Sequence, residues 1–65
     1  MNDLASYVDT FINSKGIKKV WIADQLNISQ QLLQKTLNKK NFTVDDANRI
    51  LNTIGYKLTF DIEQL

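Results

Sequence analysis

Three glutamines and a lysine recur at short intervals near the middle of the chain, and their side chains could read the edges of DNA bases. They are Gln30, Gln31, Gln34 and Lys35. A glutamine amide can pair with N6 and N7 of adenine through two hydrogen bonds, and a lysine can reach O6 and N7 of guanine. The same residue types also solvate ordinary helices, so the chemistry depends on the elements that carry them.

The residues from Lys18 to Asn38 predict two helices that meet at a tight turn. Ile22 and Leu26 are four residues apart and share one face of the first helix. Asn27 falls where the chain must turn, and asparagine tolerates the left-handed backbone conformation. Ser29 is a favourable cap for the second helix. Two such helices cross at about 90–120°, and the second is the one that enters the major groove.

This segment resembles the helix-turn-helix of the lambda-repressor-like family, also called the Cro/cI or xenobiotic-response-element family. The resemblance extends without gaps from about Gly16 to Gly55 and is carried by the Ile22-Ala23 pair and the Leu26-Asn27-Ile28-Ser29 turn. The glutamine pair after the turn is similar to the start of the recognition helix in lambdoid phage repressors. Thr36 departs from the family, which usually has an apolar residue there, and Leu37 is expected to supply that packing.

The resemblance implies roles for residues of this chain. Gln30 and Gln31 become the first candidates for base contacts, followed by Gln34 and Lys35. In the family, the start of helix 2 and the loop after helix 3 lie against the phosphate backbone. The corresponding residues here are Lys18, Lys19, Asn38, Lys39, Lys40 and Asn41.

The charge distribution agrees with a phosphate-binding surface. The formal net charge is only +1, yet residues 15–40 contain six lysines and a single acidic residue, Asp24. The segments on either side are acidic. Lysines often do no more than solvate a helical surface, but this basic block coincides with the proposed helix-turn-helix.

Further helices are expected on both sides of the motif. The periodicity and capping residues predict helices over Asp3–Ser14, Lys18–Leu26 and Gln30–Asn38, and a fourth that Thr43 caps and Gly55 ends. Tyr7 and Phe42 are expected in the core. The inner face of the fourth helix is predicted to comprise Val44, Ala47, Ile50, Leu51 and Ile54.

Trp21 lies beside the apolar face that Ile22 and Leu26 define, and it has two interpretations. Its ring could cover helix 1 or the C-terminal segment of the same chain. Alternatively, it could contact a partner, because tryptophan is enriched at protein interfaces.

The last segment changes to a period of two, which predicts a strand over residues 56–63. Tyr56, Leu58, Phe60 and Ile62 alternate with polar residues. No second strand is apparent elsewhere, and a lone strand leaves its backbone groups unpaired. The sequence therefore predicts that the strand pairs with its copy in a second chain, as a two-stranded antiparallel sheet.

The register of that pairing is predicted from the charges. A twofold axis at Thr59 opposes Lys57 to Asp61, an axis at Phe60 opposes Lys57 to Glu63, and an axis at Leu58 leaves the acidic residues unpaired. The axis at Thr59 is preferred, because it lies at the centre of the alternating run. The predicted dimer interface comprises Tyr56, Leu58, Thr59, Phe60 and Ile62.

Composition excludes several classes of function. The 65 residues form a single domain, 1–65, and lack cysteine and histidine, so zinc sites, thiol nucleophiles and imidazole catalysis are not expected. No cofactor or metal is expected. Asp45 and Asp46 are adjacent, but acids at a helix start are better explained by the helix dipole. No apolar run reaches the ~20 residues of a membrane span, and no signal peptide is apparent, so a cytoplasmic protein is expected.

The sequence thus predicts a mainly α, four-helix lambda-repressor-like domain with an intermolecular C-terminal sheet. The expected function is a Cro-like repressor of a phage or mobile element, which binds an inverted repeat in double-stranded DNA as a homodimer. The alternative is a protein-interaction module of the same fold, such as an antitoxin or a phage protein that binds a protein partner.

Overall fold

The computed structural model describes all residues from 1 to 65, as four helices followed by a small sheet. The helices are α1 (Asp3–Ser14), α2 (Lys19–Leu26), α3 (Gln30–Asn38) and α4 (Val44–Asn52), and the strands are β1 (Tyr56–Leu58) and β2 (Ile62–Gln64). The mainly helical class is confirmed. The predicted bounds of α1 and α3 agree with the structure, and α2 begins one residue later than predicted.

Three of the four helices begin with a side-chain cap, as their sequences predict. Oδ1 of Asn2 accepts a hydrogen bond from the α1 backbone at 2.8 Å, and Oγ of Ser29 accepts one from α3 at 3.0 Å. Thr43 and Asp46 form a reciprocal capping box at the start of α4. These bonds satisfy backbone N–H groups that have no partner within the helix.

The core lies where the four helices meet and contains only apolar side chains. The predicted burial of Phe42 is confirmed. Leu37 is fully buried and supplies the apolar packing that Thr36 does not. Oγ1 of Thr36 instead donates to the carbonyl of Leu32 at 3.0 Å. The eleven buried residues are Ala5, Val8, Ile12, Ile22, Ala23, Leu33, Leu37, Phe42, Ala47, Ile50 and Leu51.

The prediction of one continuous strand from Tyr56 to Glu63 is wrong, because the chain reverses at residues 59–61. β1 and β2 form an antiparallel hairpin within the chain, with Leu58 opposite Ile62 and Lys57 opposite Glu63. The backbone groups that seemed to require a second copy are thus paired internally. The preferred register about Thr59 is not formed, and the hairpin folds about Phe60.

One hydrogen bond attaches the hairpin to α4, and two others close its tip. The backbone N–H of Leu58 donates to Oδ1 of Asn48 on α4 at 2.7 Å, which covers the outer edge of β1. At the tip, the N–H of Thr59 donates to the carbonyl of Asp61 at 2.9 Å. Oδ1 of Asp61 accepts from the N–H of Ile62 at 2.9 Å. Aspartate is among the residues that are frequent in turns.

Two predictions of buried side chains are also wrong. Tyr7 is exposed on α1, and its hydroxyl donates to Oδ1 of Asp61 at the hairpin tip instead of entering the core. Val44 is the first residue of α4, and half of its surface is exposed. Within α4, the buried face comprises Ala47, Ile50 and Leu51.

Candidate nucleic-acid interface

The turn between α2 and α3 has the geometry that its sequence predicts. Asn27 adopts the left-handed conformation, with φ 58° and ψ 41°, and is the only residue other than glycine with a positive φ. The N–H of Ile28 then donates to the carbonyl of Ala23 at 3.0 Å, which closes the end of α2. Ser29 follows in extended conformation and caps α3. The two helices are therefore joined by a short turn that backbone and capping hydrogen bonds hold at both ends.

Two buried leucines fix which side of α3 faces outward. Leu33 and Leu37 are four residues apart, so both lie on the face that enters the core. Packing against the other helices holds α3 in this orientation. The opposite side of the helix is consequently exposed to solvent.

The four predicted base contacts are exposed side chains of α3. Gln30, Gln31, Gln34 and Lys35 form no hydrogen bond or ion pair with another side chain or with the backbone. Successive helical residues are about 100° apart, so Gln31 and Lys35 lie opposite the buried face, and Gln30 and Gln34 lie on one flank. Their donors and acceptors are thus free to bind another molecule.

α2 begins differently from the other three helices, because no side chain caps it. Lys18 is the N-cap residue and is exposed, and the first turn contains no acidic residue. Lys19, the other lysine predicted to contact phosphate here, forms an ion pair with Asp9 on α1, with 2.6 Å between Nζ and Oδ1. Lys18 is therefore the cation that is free at this end, and Lys19 already has a carboxylate partner.

The loop after α3 shows the same division between paired and free cations. Nζ of Lys39 lies 2.9 Å from Oδ2 of Asp46, whereas Lys40 is exposed and has no ion pair. Asn38 and Asn41 are exposed as well. Among the lysines predicted to contact DNA, Lys18, Lys35 and Lys40 are thus the ones without a carboxylate partner.

Asn2 holds this loop in place, a role that the sequence analysis did not identify. Its Nδ2 donates to the carbonyls of Lys40, at 3.2 Å, and of Phe42, at 3.4 Å. The same side chain caps α1 through Oδ1. An asparagine just before a helix is a common N-cap, so the cap itself was predictable from the sequence. The amide contacts with the loop join residues about forty positions apart, and no local pattern indicates them.

Two carboxyl groups have shifted pKa values, that of Asp46 beside the loop after α3 and that of Asp61 at the hairpin tip. Hydrogen bonds from Lys39 and then from Thr43 lower the pKa of Asp46, although partial burial opposes them. At the hairpin tip, the hydrogen bond from Tyr7 lowers the pKa of Asp61 and raises the pKa of the Tyr7 phenol. Both carboxylates are thereby kept ionised as local hydrogen-bond acceptors.

Trp21 lines an open apolar groove of about 560 Å³ at the start of α2. Ile17, which follows α1, and Ile54, which follows α4, line the same groove, and 45% of Trp21 is exposed. Val20 is exposed to a similar extent. Trp21 therefore shares this groove with neighbouring segments of its own chain and is not buried by them.

The predicted dimer residues separate into two groups. Tyr56, Leu58 and Ile62 are partly buried and pack against the core of their own chain. Phe60 and Thr59 are at the hairpin tip, where Phe60 is fully exposed. Of the five residues, Phe60 is thus the large apolar side chain that remains available to a second molecule.

No group of three or more acidic side chains is placed to hold a metal ion. None of the helices combines the length and apolar character needed to cross a bilayer. Comparisons of the chain with protein families, with curated proteins and with solved structures found no match.

Proposed function

We propose that the chain is a sequence-specific DNA-binding regulator of the lambda-repressor-like, Cro/cI type, which places α3 in the major groove. The observation that carries this proposal is the outward side of α3, where three glutamines and a lysine have no partner within the chain. α3 contains no acidic residue, so nothing on it repels a phosphate backbone. A Cro-like repressor acting in the cytoplasm, encoded by a phage or mobile element, fits this arrangement.

Phosphate contacts on both sides of α3 would set its depth and register in the groove. The uncapped start of α2 offers free backbone N–H groups and the positive end of a helix dipole, and Lys18 adds a cation there. On the other side, Lys40 and Asn41 lie in the loop that Asn2 holds. Such contacts position a protein on DNA, and base contacts provide the specificity.

We further propose that two copies bind an inverted repeat, with half-site centres about 34 Å apart. Because the hairpin pairs within each chain, the contact between copies would use side chains at its tip rather than a shared sheet. Phe60 supports this proposal, since a fully exposed phenylalanine is stabilised by association and contributes nothing to the fold of its own chain.

The groove beside Trp21 favours a second candidate function, a protein-interaction module. Ile17, Val20, Trp21 and Ile54 present apolar surface that no segment of the chain covers. A partner that inserts an apolar side chain there would make DNA binding secondary or autoregulatory. The two candidates differ in which surface is essential, α3 or the groove.

Selection of oligonucleotides from a random duplex pool tests the leading proposal. We expect enrichment of an inverted repeat by the intact chain. Gln30→Ala and Gln31→Ala should each reduce discrimination between the selected and a scrambled site by about 1–3 kcal/mol, while the fold is retained. Gln64→Ala, an exposed glutamine on β2, is the matched control and should change nothing.

The outcomes separate the two candidates. If no site is enriched, or if both α3 variants discriminate as well as the unmodified chain, the base-reading role of α3 is wrong. Loss of function in a cell-based assay with Trp21→Ser, when DNA affinity is unchanged, would favour the interaction module instead.

A further inference from the structure

Leu32 is an exposed apolar residue on the helix that otherwise presents polar groups. It is 47% exposed and is the only large apolar side chain of α3 with this degree of exposure. Helical geometry places it one turn before Lys35 and Thr36, on the flank opposite Gln30 and Gln34. Leu32 belongs neither to the buried core nor to the side chains packed against it, so the packing of the domain does not require a leucine there.

Isolated apolar side chains are common on protein surfaces, so exposure by itself does not indicate a role. The neighbours of Leu32 make its position informative. Gln31 precedes it and Lys35 follows it by three residues, and both are exposed without a partner. Residues three apart are neighbours on a helix surface, so a surface that Lys35 contacts also comes close to Leu32.

The edge of a base pair in the major groove carries one apolar group, the C5-methyl of thymine. We propose that Leu32 is a specificity-determining residue that contacts a thymine methyl in the DNA target. This inference rests on the proposed DNA-binding function, and it specifies the target chemically. The site should contain a thymine next to the position that Gln31 reads, with its methyl group covered by the leucine.

Replacement of thymine by deoxyuridine tests the contact, because the two bases differ only in the methyl group. Each thymine of the selected duplex is replaced singly, and dissociation constants are measured for the unmodified chain and for Leu32→Ala. At one thymine per half-site, uracil should raise the dissociation constant of the unmodified chain about fourfold. This change corresponds to the ~0.8 kcal/mol gained by burying one methyl-sized group. The same replacement should not change the dissociation constant of Leu32→Ala.

Two variants control for other causes. Leu32→Met retains an apolar side chain and should recover preference for thymine over uracil at that position. Leu65→Ala removes a comparably exposed leucine outside the helices and should retain the full preference. Circular dichroism of Leu32→Ala should match the unmodified chain, because the core does not include Leu32.

The possible results test the methyl contact separately from the DNA-binding function on which it rests. If no duplex is selected at all, both the DNA-binding function and the role of Leu32 are overturned. If a site is selected but no single uracil weakens binding, only the methyl contact is wrong. It is also wrong if the uracil effect persists in Leu32→Ala, or if that variant binds DNA normally and loses self-association.

Discussion

The ammonium nitrogen of Lys39 lies 2.9 Å from Oδ2 of Asp46, and this ion pair joins the loop after α3 to the capping box of α4. The same oxygen accepts hydrogen bonds from the N–H and the hydroxyl of Thr43. One carboxylate therefore caps a helix and restrains the loop that is proposed to contact phosphate. Lys39 is consequently a structural residue as well as a candidate DNA contact.

Asp46→Asn should lower the free energy of unfolding near neutral pH by about 1 kcal/mol, because it weakens a capping box and an ion pair. In a domain of this size, such a loss lowers the melting temperature by about 4–8 °C. Asp45→Asn removes a charge from the same helical turn but from an exposed aspartate without these bonds, and should have a smaller effect. Thermal unfolding measures the melting temperatures of both variants for this comparison.

The effect of Asp46 should depend on pH in a defined direction. Its pKa is lowered in the folded state, so the carboxylate stabilises the fold above its unfolded pKa of about 3.9 and loses this contribution as the pH falls through the folded value. The difference between the unmodified chain and Asp46→Asn should therefore shrink below about pH 4. A difference that stays constant down to strongly acidic pH would contradict this assignment.

Substitutions at Asn27 test the left-handed turn before α3. Asn27→Gly should preserve stability, because glycine adopts a φ of 58° without strain. Asn27→Val should cost about 1–2 kcal/mol, since a branched side chain is crowded in this conformation. Gln25→Val, in the last turn of α2, provides a control with ordinary helical geometry. Urea denaturation of the three variants should rank Asn27→Val as the least stable.

Affinity for DNA should fall steeply with salt. If each subunit makes about four phosphate contacts, a dimer should show a slope of roughly −7 in a plot of log affinity against log salt. Lys18→Ala removes one unpaired cation per subunit and should reduce this slope by about 2 for all sequences alike. Lys57→Ala, on the exposed face of β1, should leave it unchanged. A slope near zero for the unmodified chain would exclude phosphate binding.

Phe60→Asp should weaken self-association and, with it, binding to an inverted repeat. The fold should be unaffected, because Phe60 is fully exposed and makes no contribution to the core. Leu65→Asp introduces the same charge at another exposed apolar residue and should retain the dimer. Sedimentation velocity provides the measurement. An intact dimer in Phe60→Asp, or an unmodified chain that is monomeric at tens of micromolar, would overturn the role of the hairpin tip.

Local signals in the sequence were sufficient for the helices, and signals that depend on distant contacts were not. Ser29, Thr43 and Asn27 act through bonds and torsions within a few residues, so their roles were predictable. The hairpin was missed because the alternating pattern continues unbroken through Thr59, Phe60 and Asp61, without glycine, proline or asparagine to indicate a turn. The contacts of the turn include a hydrogen bond from Tyr7, 54 residues away, to the side chain of Asp61, and no local pattern indicates that bond.

For the candidate nucleic-acid interface, too, local features were predictable from the sequence and contacts between distant residues were not. Exposure of the predicted α3 side chains follows from helical periodicity and the buried leucines, so it could be anticipated. The ion pairs of Lys19 and Lys39 could not, because each depends on how two helices or a helix and a loop are packed. Sequence therefore identified the basic block but not which of its cations are free.

The closure of the hairpin within one chain determines how this protein should unfold. Every helix and both strands contribute to a core formed from a single copy, so folding needs no encounter between molecules. In the Phe60→Asp variant, which should not self-associate, the melting temperature should then be the same at low and high protein concentration, and refolding should follow first-order kinetics. A chain whose strand required a second copy would instead melt at a temperature that rises with concentration, and dilution alone would unfold it.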